Sequence, residues 1–166
     1  MTLSMYQASV PVLSRALTNL AHVLKQGAAH AKTRGVSDEV LLQTRLTPDM
    51  FSLLRQVQTA TDMAKGGVAR LAGVDPMKIA DDETTLAQLD ARIERVVGYL
   101  NTFTPEQIDG SEDRAIVLKM HAERRFDGQT YLLTYVLPNV FFHCTTAYDI
   151  LRQVGTDIGK KDFLGA

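Results

Sequence analysis

Apolar residues recur every three or four positions over four long stretches of the chain. This spacing places them on one face of an α-helix, so each stretch predicts an amphipathic helix with a buried side. Segments rich in Gly, Pro, Ser, Thr and Asp separate the stretches and are typical of turns and loops. The four predicted helices cover residues 4 to 26, 47 to 72, 86 to 100 and 128 to 154.

Local signals set the predicted ends of these helices. Gly27 is the expected stop of the first helix. Thr47 suits the N-cap of the second helix and Pro48 its first position, while Thr84 or Thr85 caps the third. Four polar residues of the second helix are predicted to share its solvated face: Arg55, Gln58, Asp62 and Lys65.

Residues 115 to 126, AIVLKMHAERRF, follow a different pattern. Apolar and polar residues alternate in this segment, which is the period of a half-buried β-strand. We predict two short strands that form a hairpin around His121-Ala122. Together with the helices, this predicts an all-α fold, a four-helix bundle with a small β-hairpin before the last helix, as a single domain over residues 1–166.

The last predicted helix is the most apolar part of the chain and carries the candidate chemistry. Asn139 and His143 lie four residues apart in it, so both side chains project from the same side. Pro138 predicts a kink, because it cannot donate a hydrogen bond to the carbonyl of Thr134. The remaining residues on that side belong in a core, and the full line is Leu132, Tyr135, Asn139, His143, Ala147 and Ile150.

Composition and charge narrow the class of protein. The chain has 166 residues, of which 45% are hydrophobic and 22% charged, as in a globular protein that can bury a sizeable core. A net charge of −1 without a Lys/Arg cluster argues against nucleic acid as a partner. The sequence shows neither a membrane-spanning run nor a signal peptide, so we expect a cytoplasmic protein with no membrane partner. Cys144, the single cysteine, is expected to be a buried and inert thiol.

Several segments carry a resemblance to a known family. They are SMYQASVPVLSRALTNL, RLTPDMFSLLRQVQTATDMAKGGVARLAG and GSEDR, followed by YLLTYVLPNVFFHCTTAYDILRQVG and GKKDFLG. In this order they resemble the DinB-like (YfiT-like) superfamily of helical-bundle metalloenzymes, in a branch known only as a domain of unknown function. The resemblance covers essentially the whole chain and implies the DinB-like fold.

The same resemblance implies a position for the functional site. Members of the superfamily usually carry three metal-binding histidines, one on the second helix and two at an H-x-x-x-H spacing on the fourth. On this chain the three positions hold Gln56, Asn139 and His143. Amide oxygens are weak ligands for the zinc or nickel that imidazole binds well. The resemblance therefore implies a degenerate site with no tightly bound divalent metal, rather than a zinc or nickel centre.

Three interpretations of these residues stay open. The leading one is a polar pocket between the second and fourth helices that binds an unidentified small molecule. The second, implied by the resemblance, is a metal-dependent transferase or isomerase that acts with a small thiol and uses His143 as ligand or general base. The third is a non-catalytic homodimeric scaffold whose polar residues form a hydrogen-bonded network, since superfamily members often pair through helix faces. A metal site completed by His22 or His121 is a weaker option. The residues predicted for the site are Gln56, Asn139, His143, Tyr6, Tyr135 and Tyr148.

Overall fold

The computed structural model describes residues 3–119 and 123–166, and this part of the chain is mostly helical. A π-helical segment, Tyr131–Val136, joins α6 (Gly128–Thr130) to α7 (Leu137–Gln153) in one continuous helix. The antiparallel strands β1 (Ile116–Lys119) and β2 (Glu123–Phe126) form the predicted hairpin before it, although its predicted turn at His121-Ala122 lies outside the described residues. The α-helices are α1 (Met5–Thr33), α2 (Asp38–Gln43), α3 (Leu53–Ala72), α4 (Leu86–Leu100), α5 (Pro105–Ile108), α6 (Gly128–Thr130), α7 (Leu137–Gln153) and α8 (Lys160–Leu164). An all-α fold with a small hairpin before the last helix is thus confirmed.

The four long helices enclose one hydrophobic core. Helices α1 and α3 each pack against both α4 and α7, and the α3–α7 contact is the most extensive. The apolar stripes predicted from the sequence supply this core, and each fully buried Leu, Ile or Val contributes about 1.5–3 kcal/mol of favourable burial. No helix in the described ranges has the length and apolar character needed to cross a membrane. The α3–α7 interface is where the predicted site residues lie.

Helix α1 does not stop at Gly27 but continues to Thr33, so that prediction is wrong. Gly27 is buried, and a Cβ atom built on it would lie 2.5 Å from Cδ2 of Leu151 on α7. This glycine therefore permits close packing between two helices. The chain turns instead at Gly35, which has a φ of 67° that favours glycine.

Helix α3 begins at Leu53, with Ser52 as its N-cap, and not at the predicted Thr47. The backbone before this helix is not helical, because Arg45 and Ser52 form an antiparallel β-bridge. The amide of Leu53 donates to the carbonyl of Thr44, which closes the intervening loop. The predicted end of the helix is confirmed, since Gly73 follows Ala72 with a φ of 73°.

The line predicted for the last helix is buried at four of its six residues, Leu132, His143, Ala147 and Ile150. Tyr135 and Asn139 are only half-buried, and Val136, which was not on the line, is fully buried in their place. The cause is the π-helical segment, whose bonds span five residues, as in the bond from the Leu137 amide to the Leu132 carbonyl. A turn of π-helix holds more residues than an α-turn, so the buried face shifts along the sequence. The placement of Tyr135 and Asn139 in the core line is therefore wrong.

The predicted solvated face of α3 is also wrong in part. Gln58 is 3% exposed and Lys65 is 8% exposed, so both belong to the buried part of the molecule. The connection between α3 and α4 folds back over Gln58. Gln58 donates from Nε2 to Glu83 in that connection at 2.8 Å, and Lys65 pairs with Asp62 at 2.8 Å.

Arg92 on α4 is the centre of this polar cluster, and its side chain is 1% exposed. Burial alone would lower its pKa, but a hydrogen bond to Glu83 and the nearby carboxylates outweigh burial and raise the pKa of Arg92. Burial likewise tends to raise the pKa of Glu83, yet its bonds to Arg92 and Gln58 lower it. The Arg92 guanidinium contacts Asp62 and Glu83 at 2.8 Å, Asp81 at 3.0 Å, the hydroxyl of Thr61 at 2.8 Å and the carbonyl of Ala80 at 3.0 Å. This cluster fixes the α3–α4 connection to both helices.

Candidate functional site

Gln56 on α3 and His143 on α7 are in direct contact across the most extensive helix interface. Nδ1 of His143 lies 2.7 Å from Oε1 of Gln56. The amide nitrogen of Gln56 donates to the carbonyl of Phe51 at 3.1 Å. Gln56 is 1% exposed and His143 8% exposed, so the pair is almost entirely removed from solvent. Two of the three positions that the resemblance implied for the site are thus in contact.

This pair of hydrogen bonds sets the protonation of the imidazole. Because the nitrogen of Gln56 donates to a carbonyl, its oxygen is the atom that faces His143. That oxygen can only accept, so Nδ1 of His143 must carry the proton. Burial lowers the pKa of His143 below its usual value near 6.5, so the ring is neutral at pH 7. A lone pair therefore remains on Nε2, which has no hydrogen-bond partner within residues 3–119 and 123–166.

Two aromatic rings flank the imidazole of His143. The ring of Phe51 is stacked on it, with centroids 6.4 Å apart and an interplanar angle of 14°. Phe142 meets it edge-on at 5.3 Å and 86°. Both phenyl groups are well exposed, at 48% and 56%, although aromatic side chains usually bury most of their area. The imidazole thus lies beneath an apolar surface that is itself open to solvent.

Asn139 lies one helical turn before His143 but makes a different contact. Its amide nitrogen donates to the backbone carbonyl of Tyr135 at 2.6 Å. No hydrogen bond joins it to Gln56 or His143 in the described part of the chain. The side chain stabilises the helix backbone near Pro138, where the proline removes one amide donor.

The three predicted tyrosines lie in separate surroundings. Tyr135 stacks on Tyr131 with ring centroids 5.7 Å apart, beside the hairpin residue Phe126. The hydroxyl of Tyr148 donates to the carbonyl of Ile158 at 3.4 Å. The amide of Tyr6 donates to Asp109 at 2.7 Å, near the start of α1. Each tyrosine thus contacts a different part of the structure: the hairpin for Tyr135, the C-terminal segment for Tyr148 and Asp109 for Tyr6.

A metal ion shared by Gln56, Asn139 and His143 fits this geometry poorly. Gln56 occupies the Nδ1 side of the imidazole, whereas the free lone pair is on Nε2, at the opposite side of the ring. An ion bound at Nε2 could not also be reached by the Gln56 oxygen that accepts from Nδ1. No group of three His, Cys, Asp or Glu side chains in the described ranges is arranged to hold a metal ion.

The other candidate residues do not complete the site. His22 contacts Asp162 on α8 through Nε2 at 3.1 Å, so it is held at the C-terminal tail. His121 lies outside the described residues. Cys144 adjoins His143 in sequence but is 2% exposed, and burial raises the pKa of its thiol to about 12. A thiol with that pKa is protonated at neutral pH and is not a nucleophile, as the sequence predicted.

Phe51 and Phe142 are the site residues that sequence reasoning missed. With α3 predicted to start at Thr47, Phe51 fell inside a helix, where its carbonyl would bond to the backbone. The helix starts at Leu53 instead, so that carbonyl is free to accept from Gln56. The Phe141-Phe142 pair before His143 was the available signal, since two adjacent aromatic residues on a helix cannot both be buried on one side.

The fold is that of a DinB-like helical protein, as comparison with known proteins shows. The crystal structure of a DinB family member protein from Shewanella denitrificans superposes on the chain with a TM-score of 0.89 and 40% sequence identity, over 97% of this chain and 92% of that one. The family model described as Domain of unknown function (DUF1993) matches residues 5–164. The chain belongs to this family. A search of curated proteins gives no match.

Proposed function

We propose that this protein binds a small molecule at a polar site between α3 and α7, centred on His143 and Gln56. The observation that carries the proposal is the fixed orientation of His143. Its Nδ1 donates to Gln56 at 2.7 Å, and Gln56 is in turn held by the carbonyl of Phe51 at 3.1 Å. A neutral imidazole held in this way offers Nε2 as a pre-oriented acceptor, and pre-orientation reduces the entropy lost on binding.

The surroundings of His143 suit an organic ligand better than an ion. Phe51 and Phe142 provide apolar area around one polar atom, which is the usual composition of a small-molecule site. Asn139, half-buried one turn away, could add an amide contact at the edge. We propose no role for a resident metal, because Gln56 and Nε2 lie on opposite sides of the imidazole.

Elemental analysis tests the proposal first. Protein purified without a His-tag should contain far less than one equivalent of zinc, nickel or iron per chain. The Asn139→His variant is the matched control, because it restores two histidines at an i, i+4 spacing and should raise occupancy. One tightly bound equivalent in the unaltered protein would overturn the proposal.

A fragment screen tests the site itself. Ligand-observed NMR with a library of heteroaromatic N–H donors should give hits that are lost in His143→Phe, which removes Nε2 and keeps an aromatic ring. Arg124→Gln, which alters an exposed strand residue, should keep every hit. Hits that persist in His143→Phe would contradict binding at this site.

A catalytic role is the second candidate, and the protonation of His143 favours it. An oriented neutral imidazole is the form that acts as a general base. The DinB-like resemblance then suggests a transferase or isomerase acting with a small thiol. Thiol consumption that depends on His143 would distinguish this from simple binding.

A non-catalytic homodimer is the third candidate, favoured by four exposed apolar residues, two of which, Phe51 and Phe142, flank His143. Phe51, Leu133, Phe141 and Phe142 are 48%, 48%, 39% and 56% exposed. A dimer that covers them would make Phe142→Ser monomeric in analytical ultracentrifugation. If the protein is monomeric before the change, this candidate fails.

A further inference from the structure

The loop between α2 and α3, residues 44–52, carries the backbone carbonyl that orients the site around His143. Phe51 lies in this loop directly before the N-cap of α3, and its carbonyl accepts from Nε2 of Gln56 at 3.1 Å. This bond decides which end of the Gln56 amide faces the imidazole, and hence which imidazole nitrogen carries the proton. The position of the Phe51 carbonyl therefore sets the chemistry of the site.

Arg45 holds the loop on both sides of Phe51. Its guanidinium donates to the carbonyl of Met50, which belongs to the peptide unit directly before Phe51. Its backbone forms the antiparallel bridge with Ser52, the residue directly after Phe51. The bridge is made by the main chain and survives a substitution, whereas the bond to Met50 is made by the Arg45 side chain and does not. The side chain of Arg45 is therefore the part of this support that a variant can remove.

The aromatic ring of Phe51 is held separately from its carbonyl. Cζ of Arg55 on α3 lies 5.9 Å from the centroid of the ring, a distance at which a guanidinium attracts an aromatic face. Arg55 is itself fixed by Asp81, with its Nη1 2.6 Å from a carboxylate oxygen. Loss of the Arg45 side chain should therefore free the Phe51 carbonyl while the ring stays stacked on His143.

We propose that Arg45 is a positioning residue that decides whether the site presents a hydrogen-bond acceptor or a donor, an inference that rests on the function proposed above. With the Phe51 carbonyl in place, a rotated Gln56 amide would set two oxygens against each other, so Nδ1 of His143 keeps the proton and Nε2 accepts. Once that carbonyl moves away, the terminal amide is free to rotate by about 180° and to donate to Nδ1. Nδ1 then gives its proton to solvent, Nε2 takes one up, and the site presents a donor.

Long-range ¹H–¹⁵N correlation spectra of Arg45→Ala at pH 7 test this inference. At least roughly a tenth of His143 should carry its proton on Nε2, which is the upper end of the usual range for a minor state. Arg45→Lys keeps a donor on a long side chain and should retain the spectrum of the unaltered protein. Arg95→Ala removes another exposed arginine, one without an ion pair in the described residues, and should also retain it.

Binding of an acceptor probe provides a second readout that a merely structural role of Arg45 would not produce. N-methylpyridone is planar and has a carbonyl but no N–H donor, so it suits only the form with a proton on Nε2. Its affinity should rise at least about fivefold in Arg45→Ala, because apparent affinity scales with the population of the competent form. The circular dichroism spectrum should stay unchanged, since Arg45 is exposed.

The outcomes separate this inference from the function proposed above. If His143 carries its proton on Nδ1 in the unaltered protein and equally in Arg45→Ala, the positioning role of Arg45 is refuted and the proposed site stands. If Nε2 already carries the proton in the unaltered protein, both proposals are wrong. A change in Arg45→Lys as large as that in Arg45→Ala, or an unchanged affinity for N-methylpyridone, would also overturn the inference.

Discussion

Replacing Arg92 by alanine should destabilise the fold more than any other single change of a charged residue in the described chain. The side chain is 1% exposed and makes ion pairs with Asp62, Asp81 and Glu83 at 2.8 to 3.0 Å. Breaking a buried ion pair by removing one partner costs about 3–5 kcal/mol, because the other charge is left uncompensated.

The contacts that remain after the change decide where in that range the loss falls. Asp62 keeps Lys65 and Asp81 keeps Arg55, so both retain a cation. Glu83, 9% exposed, would keep hydrogen bonds from the Gln58 amide and from its own backbone but would have no cation. One carboxylate is therefore stranded, and we expect a loss of about 3 kcal/mol. For a chain of this size that loss corresponds to a fall in Tm of roughly 6–12 °C.

Chemical denaturation followed by circular dichroism measures this loss. Arg95→Ala is the matched control, because Arg95 lies on the same helix, is exposed and has no ion pair within the described ranges; it should change stability by less than about 0.5 kcal/mol. Adding Glu83→Gln to Arg92→Ala should recover part of the loss by removing the stranded charge. Equal losses in Arg92→Ala and Arg95→Ala would refute the account of this cluster.

Three further predictions follow from packing and titration. Gly67→Ala should destabilise the protein by about 1–2 kcal/mol through overpacking, since the new Cβ would lie 2.6 Å from a side chain of the π-helical segment. Gly98→Ala should instead stabilise the protein by up to about 1 kcal/mol in the same denaturation assay, because no atom lies within 4 Å of the new Cβ. Cys144 should react with a thiol reagent only as fast as the protein unfolds, because its pKa is raised to about 12, and rapid labelling of the native protein would contradict this. The pKa values of Asp81 and Glu83 are lowered on balance, although burial opposes the shift. The stability that these carboxylates contribute is therefore fully present above their unfolded-state pKa values near 4, and it is lost as the pH falls through their lower folded-state pKa values. Unfolding free energy measured below pH 4 should therefore fall less steeply in Arg92→Ala than in the unaltered protein.

The sequence predicted elements whose signals are local. The Thr85 cap and the limits of α4 follow from a capping box and a regular apolar stripe, and both match the structure. The alternation over residues 116–119 likewise identified a strand. These features depend on residues within one turn of each other, so they can be read without knowledge of the tertiary contacts.

The features that the sequence did not predict depend on distant partners. Gly27 resembles a helix stop, but Leu151 lies against it from 124 positions further along the chain. Gln58 resembles a surface residue until the connection carrying Glu83 folds over it. The π-helical segment has no local signature beyond Pro138, and its effect on Tyr135 and Asn139 follows from the changed number of residues per turn.

The candidate site likewise has features that the sequence predicts and features that depend on distant contacts. The spacing and the resemblance to DinB-like proteins identified Gln56 and His143, and the structure joins them by one hydrogen bond of 2.7 Å. Neither the spacing nor the resemblance could indicate which nitrogen of His143 is protonated, because that depends on the orientation of the Gln56 amide and hence on the carbonyl of Phe51. Asn139 was grouped with them by its i, i+4 spacing to His143 and by the same resemblance, but its amide nitrogen donates to the carbonyl of Tyr135 instead.

The protonation of His143 is the most direct test of the proposed site. Long-range ¹H–¹⁵N correlation spectra of the folded protein at pH 7 distinguish the two nitrogens of each imidazole. We predict that Nδ1 of His143 carries the proton and that Nε2 gives the signal of an unprotonated nitrogen. A proton on Nε2, or a charged ring at pH 7, would contradict the account, because Gln56 would then face the other way and no free acceptor would be presented to a ligand.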